Sequence, residues 1–236
     1  MYGKIYLIPN TLGNCSIDSV IPAEVKKLTS KLSYFVVENE RTVRRYLKKI
    51  DKSIKIDDLQ FFLLNKHTDK KSVEGFLAPV LEGHNLGIIS EAGAPGIADP
   101  GSEIVELAHK KNIQVVPLVG PSSIMLALMA SGFNGQNFVF HGYLPIQSNQ
   151  KTSKLKEIEK KSAGERQTQI FMETPYRNNK LLQEIFKSCH PHTNLCIAAN
   201  ITTPGENIQT KTIAEWKKET PDLHKIPCIF LLESTR

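Results

Sequence analysis

The sequence is poor in the residues that hold metals and disulfides. Its four cysteines, Cys15, Cys189, Cys196 and Cys228, form no C-x-x-C pair and no zinc-like spacing. None of its seven histidines falls in an H-E-x-x-H frame. A reduced, metal-free protein is the economical expectation. No apolar run approaches the ~20 residues that span a bilayer, so no membrane role is expected. The opening MYGKIYLIPN lacks a long apolar core and a small-residue cleavage site. It reads as a first strand rather than a secretion signal, and the expected location is cytoplasmic. The phosphate-loop, dinucleotide and serine-hydrolase classes also lack their signatures. There is no G-x-x-x-x-G-K-[ST] and no G-x-S-x-G, and IPNTLGN, after the first apolar run, offers one glycine where G-x-G-x-x-G needs three.

What is present is an ordinary globular composition. The 236 residues are 40% hydrophobic and 23% charged, a length that suits one large domain or two small ones. The net charge of +6 permits a polyanionic partner without demanding one. Strands are expected at Ile5 to Ile8, Tyr34 to Val37, Phe61 to Leu64, Leu86 to Ile89 and Val115 to Leu118. Helical spacing lies between them at 72–82 and 101–110, and Pro22 suits the first turn of a helix ending near Ser30. Beyond 119, a helix over Pro121 to Ala130 precedes a strand at Phe138 to Phe140. A lysine-rich segment, a strand at Gln169 to Met172 and a helix over Asn178 to Ser188 come next. Three late strands follow at Leu195 to Ala199, Ile208 to Lys211 and Ile226 to Leu232. Alternation predicts a mainly parallel sheet in a first α/β lobe, 1–118, and clustered late strands predict a mixed sheet in a second, 119–236.

The stretch SEAGAPGIADPGSE, residues 90–103, leaves the carboxyl end of the fourth expected strand with three glycines, two prolines and no lysine or arginine. Ligands bind at such ends in open α/β sheets. Gly93 and Gly96 allow positive φ or close backbone approach, and Pro95 and Pro100 stiffen the path. A preformed shelf of backbone N–H and C=O groups is one reading. A tight strand-to-helix connection capped by Asp99 or Ser102 is the other. GPSS at 120–123 is open to the same pair of readings, shelf or cap.

Taken together, IYLIPNTLGN, SEAGAPGIADPG, VVPLVGPSSIMLALMASG and FHGYLP resemble the tetrapyrrole methylase family of S-adenosylmethionine-dependent methyltransferases. IFMETPYR, IAANITTPGE and IPCIFLLE follow in register. Within that family the likeness is greatest to the branch that 2′-O-methylates a cytidine of small-subunit ribosomal RNA. The resemblance implies two α/β lobes, S-adenosylmethionine in the cleft between them, and a homodimer. It also implies a cofactor shelf of Ala92, Gly93, Ala94 and Ile97, faced by Leu12, with Ser122 and Ser123 approaching from the linker. Met172, Ile201 and Pro227 would come from the second lobe. Adenine and a methionine chain suit apolar walls, and a sulfonium suits a pocket free of cations.

Several segments depart from that branch. Its E-D-T-R is Glu38-Asn39-Glu40-Arg41 here, and its L-H-D-H-N is Leu64-Asn65-Lys66-His67-Thr68. Its Y-E-S-x-x-R becomes Met172-Glu173-Thr174-Pro175-Tyr176-Arg177, keeping the glutamate and arginine. Its A-R-E-x-T-K becomes Ala199-Asn200-Ile201-Thr202-Thr203-Pro204, losing the charged pair. Methyl transfer to a weakly acidic ribose hydroxyl gains from a base held near it. By motif, Glu38, His67 and Glu173 are the candidates to line the cleft, with Arg41 and Arg177 holding an anionic substrate or orienting those carboxylates. A salt bridge or a solvated cap is the alternative for each.

Arg41, Arg44, Arg45, Lys48, Lys49 and Lys52 share one face of a helix whose opposite face carries Val43, Tyr46, Leu47 and Ile50. Only Asp51 supplies acid between Arg41 and Ile56. The face is either solvated or a phosphate-contacting stripe that Lys66, Lys70 and Lys71 extend. The lysines at 151–161 interleave with Glu157 and Glu159 and count for less. Three functions are therefore in play: methylation of a ribosomal RNA ribose, C-methylation of a corrin or porphyrin, and a non-catalytic cofactor- or RNA-binding homologue.

Overall fold

The runs IYLI, YFVV and LGII are strands because they are apolar on both sides of the pleat. Such runs belong in a parallel sheet covered by helices on both faces. The computed structural model describes residues 2–64, 68 and 70–234; for Lys70 and Lys71 only the backbone is described. The chain forms two compact units, Met1–Ser122 and Ser123–Arg236.

In the first unit the elements run β1 (Ile5–Ile8), α1 (Ala23–Thr29), β2 (Tyr34–Val37), α2 (Glu40–Ile50), β3 (Gln60–Leu63) and α3 (Lys70–Gly75). They continue with α4 (Ala78–Leu81), β4 (Leu86–Ile89), α5 (Ser102–Lys110) and β5 (Val115–Pro117). The five strands are all parallel, in the order β3-β2-β4-β1-β5. One core layer joins Ile8, Phe35, Val37 and Ile89 to Val43, Tyr46 and Leu47 of α2. The other joins Ile5, Val36, Leu86 and Ile88 to Val73, Leu77, Val80, Ile104 and Ala108 beneath α3, α4 and α5. The helical pattern expected over 72–82 is two short helices instead, with Pro79 in the first turn of α4. A proline ring removes a backbone donor and clashes with the preceding turn, so it breaks or kinks a helix at its interior and is accommodated here in a first turn.

In the second unit the elements run α6 (Ser123–Ser131), β6 (Phe138–Tyr143), α7 (Ser148–Glu165), β7 (Thr168–Met172) and α8 (Asn178–Ser188). Then come β8 (Asn194–Ala199), β9 (Asn207–Thr212), α9 (Ile213–Lys218) and β10 (Cys228–Glu233). The sheet order is β6-β7-β10-β8-β9, parallel between β6 and β7 and antiparallel elsewhere. The lysine-rich segment turns out to be the long helix α7, which buries Lys151, Leu155, Ile158 and Ser162 at helical spacing. Helix α9, absent from the sequence reading, starts in a capping box between Thr212 and Glu215. It is pinned by the buried Trp216, whose indole N–H donates to the Leu195 carbonyl at 2.8 Å. The predicted mainly parallel and mixed sheets are both present.

Candidate active site

Parallel strands bring all their carboxyl ends to one edge. At that edge of the first unit lie Leu12 after β1, Glu38 after β2, the 90–101 loop after β4 and Ser122 beyond β5. From β1 the chain passes through α1 to β2, and from β4 through α5 to β5. The two connections thus leave neighbouring strands in opposite directions across the sheet. This reversal is where open α/β sheets take ligands.

The two loops at the reversal are stitched together. Asn10 and Gly93 form an isolated antiparallel bridge, with N–H···O distances of 2.9 and 3.2 Å. The Asn10 side chain, 4% exposed, donates to the carbonyls of Ser90 at 3.1 Å and Glu91 at 3.0 Å. Its own oxygen accepts from the Thr11 amide at 2.8 Å. Ser90 Oγ donates to the Ala92 carbonyl at 3.2 Å. The carbonyls of Ser90, Glu91, Ala92 and Gly93 and the Gly93 amide are thus engaged in holding the loops together. Gly93 sits at φ +67°, and a Cβ there would stand 3.0 Å from Leu12 Cδ2. Gly120 admits the ring of Pro9, whose carbons would lie 2.3 Å from any added Cβ. Neither Asp99 nor Ser102 caps α5. The cap residue is Gly101, whose N–H is taken by Glu103 at 3.3 Å.

Relieved of capping, Asp99 joins a group of carboxylates. Burial pushes its carboxyl up to about 6, and the charges of Glu38 and Glu91 add to that against a hydrogen bond from Ser90. Burial and Glu38 also raise Glu91, while Thr42 in the first turn of α2 pulls it down. Sequence reasoning named Glu38 but missed Asn10, Glu91 and this role for Asp99. Arg41 is exposed on the same turn of α2 as Thr42. Ala92 and Ile97 are exposed, and Leu12, Ala94 and Ser122 are half-buried. His67 and Lys66 lie outside the described residues.

The second unit has its own converging edge. The register sets Met172 beside Ile229 and Ala199 beside Cys228. The end of β7, the end of β8 and the start of β10 therefore meet, bringing Met172, Ile201 and Pro227 to one side of the sheet. The Asn200 amide donates to the Pro227 carbonyl at 3.0 Å. Ile201 is buried, Met172 half-buried and Pro227 exposed, while Ser123 begins α6. Glu173 is bonded on every side. One oxygen accepts from the Thr174 amide at 2.8 Å and from Arg177 Nε and Nη2 at 2.9 and 2.6 Å. The other lies 3.1 Å from Lys151 Nζ, which stands 3.4 Å from Glu184. Burial would raise the Glu173 carboxyl, but Thr174, Arg177 and Lys151 together hold it below its usual range. A carboxylate so engaged is a poor proton acceptor, so the geometry makes Glu173 and Arg177 a brace.

Among the described residues, no group of three His, Cys, Asp or Glu side chains could hold a metal ion. No helix among them is long and apolar enough to cross a membrane.

Residues 30–217 match the family described as Tetrapyrrole (Corrin/Porphyrin) Methylases. "Ribosomal RNA small subunit methyltransferase I" of Vibrio cholerae is 29% identical over 235 residues, covering 98% of this chain and 77% of that protein. The protein of the same name from Haemophilus influenzae is 32% identical over 176 residues, covering 73% and 61%. Among solved structures, the methyltransferase CobJ superposes with a TM-score of 0.65 at 16% identity, covering 98% of this chain and 94% of that one. Uroporphyrin-III-C-methyltransferase from Thermus thermophilus gives 0.57 at 15% identity, covering 100% and 94%. Identities this low speak for the fold alone.

Proposed function

Because the chain belongs to the tetrapyrrole (corrin/porphyrin) methylase family of methyltransferases, we propose that it moves a methyl group from S-adenosylmethionine to a ribose 2′-hydroxyl of small-subunit ribosomal RNA. The observation that carries the choice of substrate is a likeness to relatives of that name, running over 98% of the chain. The corrin and porphyrin enzymes resemble it in fold only.

The residues at hand fit the cofactor. Bound S-adenosylmethionine supplies an electrophilic methyl group on a positively charged sulfur. The loop 90–103 contributes no lysine or arginine to repel it. Glu38, Glu91 and Asp99 crowd negative charge at the same edge, and an added cation relieves their mutual repulsion. Gly93, Ala92, Ala94, Ile97, Leu12 and Ser122 provide the contact surface of the first unit. Asp99, whose carboxyl burial and the neighbouring Glu38 and Glu91 charges push up to about 6, accepts the hydroxyl proton as the oxygen attacks. Arg41, exposed beside Thr42, holds a phosphate of the substrate.

A homodimer belongs to the same proposal, since Met129 and Ile146 leave 77% and 70% of their surface exposed. A substrate of this kind places the protein in the cytoplasm. The test supplies the purified protein with labelled S-adenosylmethionine and, in separate reactions, undermethylated small ribosomal subunits, a tetrapyrrole mixture or no substrate. Label should appear in the RNA and make one linkage resistant to alkali, because the methylated hydroxyl can no longer cleave its neighbour. Label in the tetrapyrrole pool, or in neither, refutes the proposal.

A further inference from the structure

The exposed face of α2 carries more positive charge than the helix uses. Arg41, Arg44, Arg45, Lys48 and Lys49, with Lys52 just beyond the helix, are all exposed. Arg44 is engaged: it pairs with Glu40 at 2.6 Å and lies over the Phe61 ring at 5.5 Å. Lys48 donates to the Lys52 carbonyl at 2.9 Å. Among the described residues, Arg41, Arg45, Lys49 and Lys52 have no carboxylate within ion-pair distance. The contrast with α7 is direct, because there Glu157 pairs with both Lys154 and Lys161.

The helix is also fixed to the candidate active site. Its buried face carries Tyr46, whose hydroxyl donates to the Pro9 carbonyl at 2.5 Å, next to Asn10. Its first turn brings Thr42 to Glu91. The Asn39 side chain caps it by accepting from the Thr42 amide at 3.3 Å. From Arg41 to Lys49 the helix advances roughly 12 Å at 1.5 Å per residue. That is about the rise of three to four phosphates along one strand of a duplex. Val43, Tyr46 and Leu47 are buried, so no apolar face is left to enter a bilayer.

We propose that the exposed face of α2 is a docking surface for the RNA phosphate backbone, leading the strand to the carboxylates at the end of β2 and β4. The proposal rests on the RNA reading above and names the surface that reading lacks. Arg45, Lys49 and Lys52 make the sequence-independent contacts, and Arg41 stands at the end of the track nearest the site.

The test compares wild type with Arg45→Glu/Lys49→Glu/Lys52→Glu. The probe is a labelled fragment of small-subunit ribosomal RNA, titrated between about 50 and 200 mM salt. Loss of three contacts should weaken binding at least tenfold and flatten the log–log salt slope by about two to three. S-adenosylmethionine affinity, measured by calorimetry, should stay put and report an intact fold. Arg45→Lys should bind RNA as wild type does. A folded triple variant with unchanged RNA affinity and slope overturns the proposal. So does a wild-type protein that ignores the RNA but binds phosphatidylserine–phosphatidylcholine vesicles. Methyl transfer is scored separately: RNA methylation with unchanged variant binding sinks the docking surface alone. Salt-sensitive binding lost in the variant, without any methylation, sinks the transferase reading alone.

Discussion

Lys151→Met removes the one cation among the described residues that reaches both Glu173 and Glu184. Lys151 is 2% exposed, with Nζ 3.1 Å from Glu173 and 3.4 Å from Glu184. The two carboxylates fare differently in the variant. Glu173 keeps the Thr174 amide and two bonds from Arg177. Among the described residues Glu184 keeps no cation, and its Oε2 accepts no hydrogen bond even with the lysine present. Leaving a charge buried after its partner is removed costs about 3–5 kcal/mol. For a chain of this size that lowers the melting temperature by roughly 10 °C. An unpaired buried carboxylate is relieved by taking up a proton, so the deficit should be largest at pH 8 and shrink toward pH 5. Urea denaturation of the variant and wild type at the two pH values measures it. Adding Glu184→Gln to the variant should recover most of the loss. A deficit under about 1 kcal/mol at pH 8, or one that does not change with pH, refutes the account of an uncompensated charge.

Two further variants address the first unit. Gly93→Ala forces an L-residue to φ +67° and sets its Cβ 3.0 Å from Leu12. It should cost about 1–2 kcal/mol of stability and weaken S-adenosylmethionine binding at least tenfold. Unchanged calorimetric affinity in the folded variant removes Gly93 from the cofactor site. Because the Asp99 carboxyl is pushed up to about 6, wild-type kcat/KM should fall as pH drops through that value and the base is protonated. Asp99→Asn should lose about 10²- to 10⁴-fold in rate and show no such limb. Glu38→Gln removes a negative charge and should move the wild-type limb to lower pH. A limb that persists in Asp99→Asn assigns it to another group.

The elements that were legible are those whose own sequence carries the full pattern. β1, β2 and β4 are unbroken apolar runs, and their observed limits match the expected ones. The basic and apolar faces of α2 alternate at helical spacing, so the helix could be read directly. Helix α7 could not. Its apolar stripe is thin, and part of its buried face is Lys151, which looks like surface until Glu173 and Glu184 arrive from β7 and α8. Asn10 was silent for a similar reason. Its bonds run to Ser90, Glu91 and Gly93, far along the chain, and exist only because β1 and β4 are neighbours.

The departures from the ribosomal branch at 38–41 acquire meaning in the same way. Of Glu38-Asn39-Glu40-Arg41, the two residues that differ from E-D-T-R work for the helix: Asn39 caps α2 and Glu40 pairs with Arg44. The two that agree, Glu38 and Arg41, are left to the edge where the carboxylates gather. Glu38 meets Glu91 and Asp99 only because β4, formed later in the chain, inserts between β2 and β1. No local window contains that triad. Asp99 is the plainest case: its sequence setting suits a helix cap, but Gly101 and Glu103 fill that role. A carboxylate that is half-buried, free of capping and crowded by two others serves the loop poorly as structure. It is suited to take a proton.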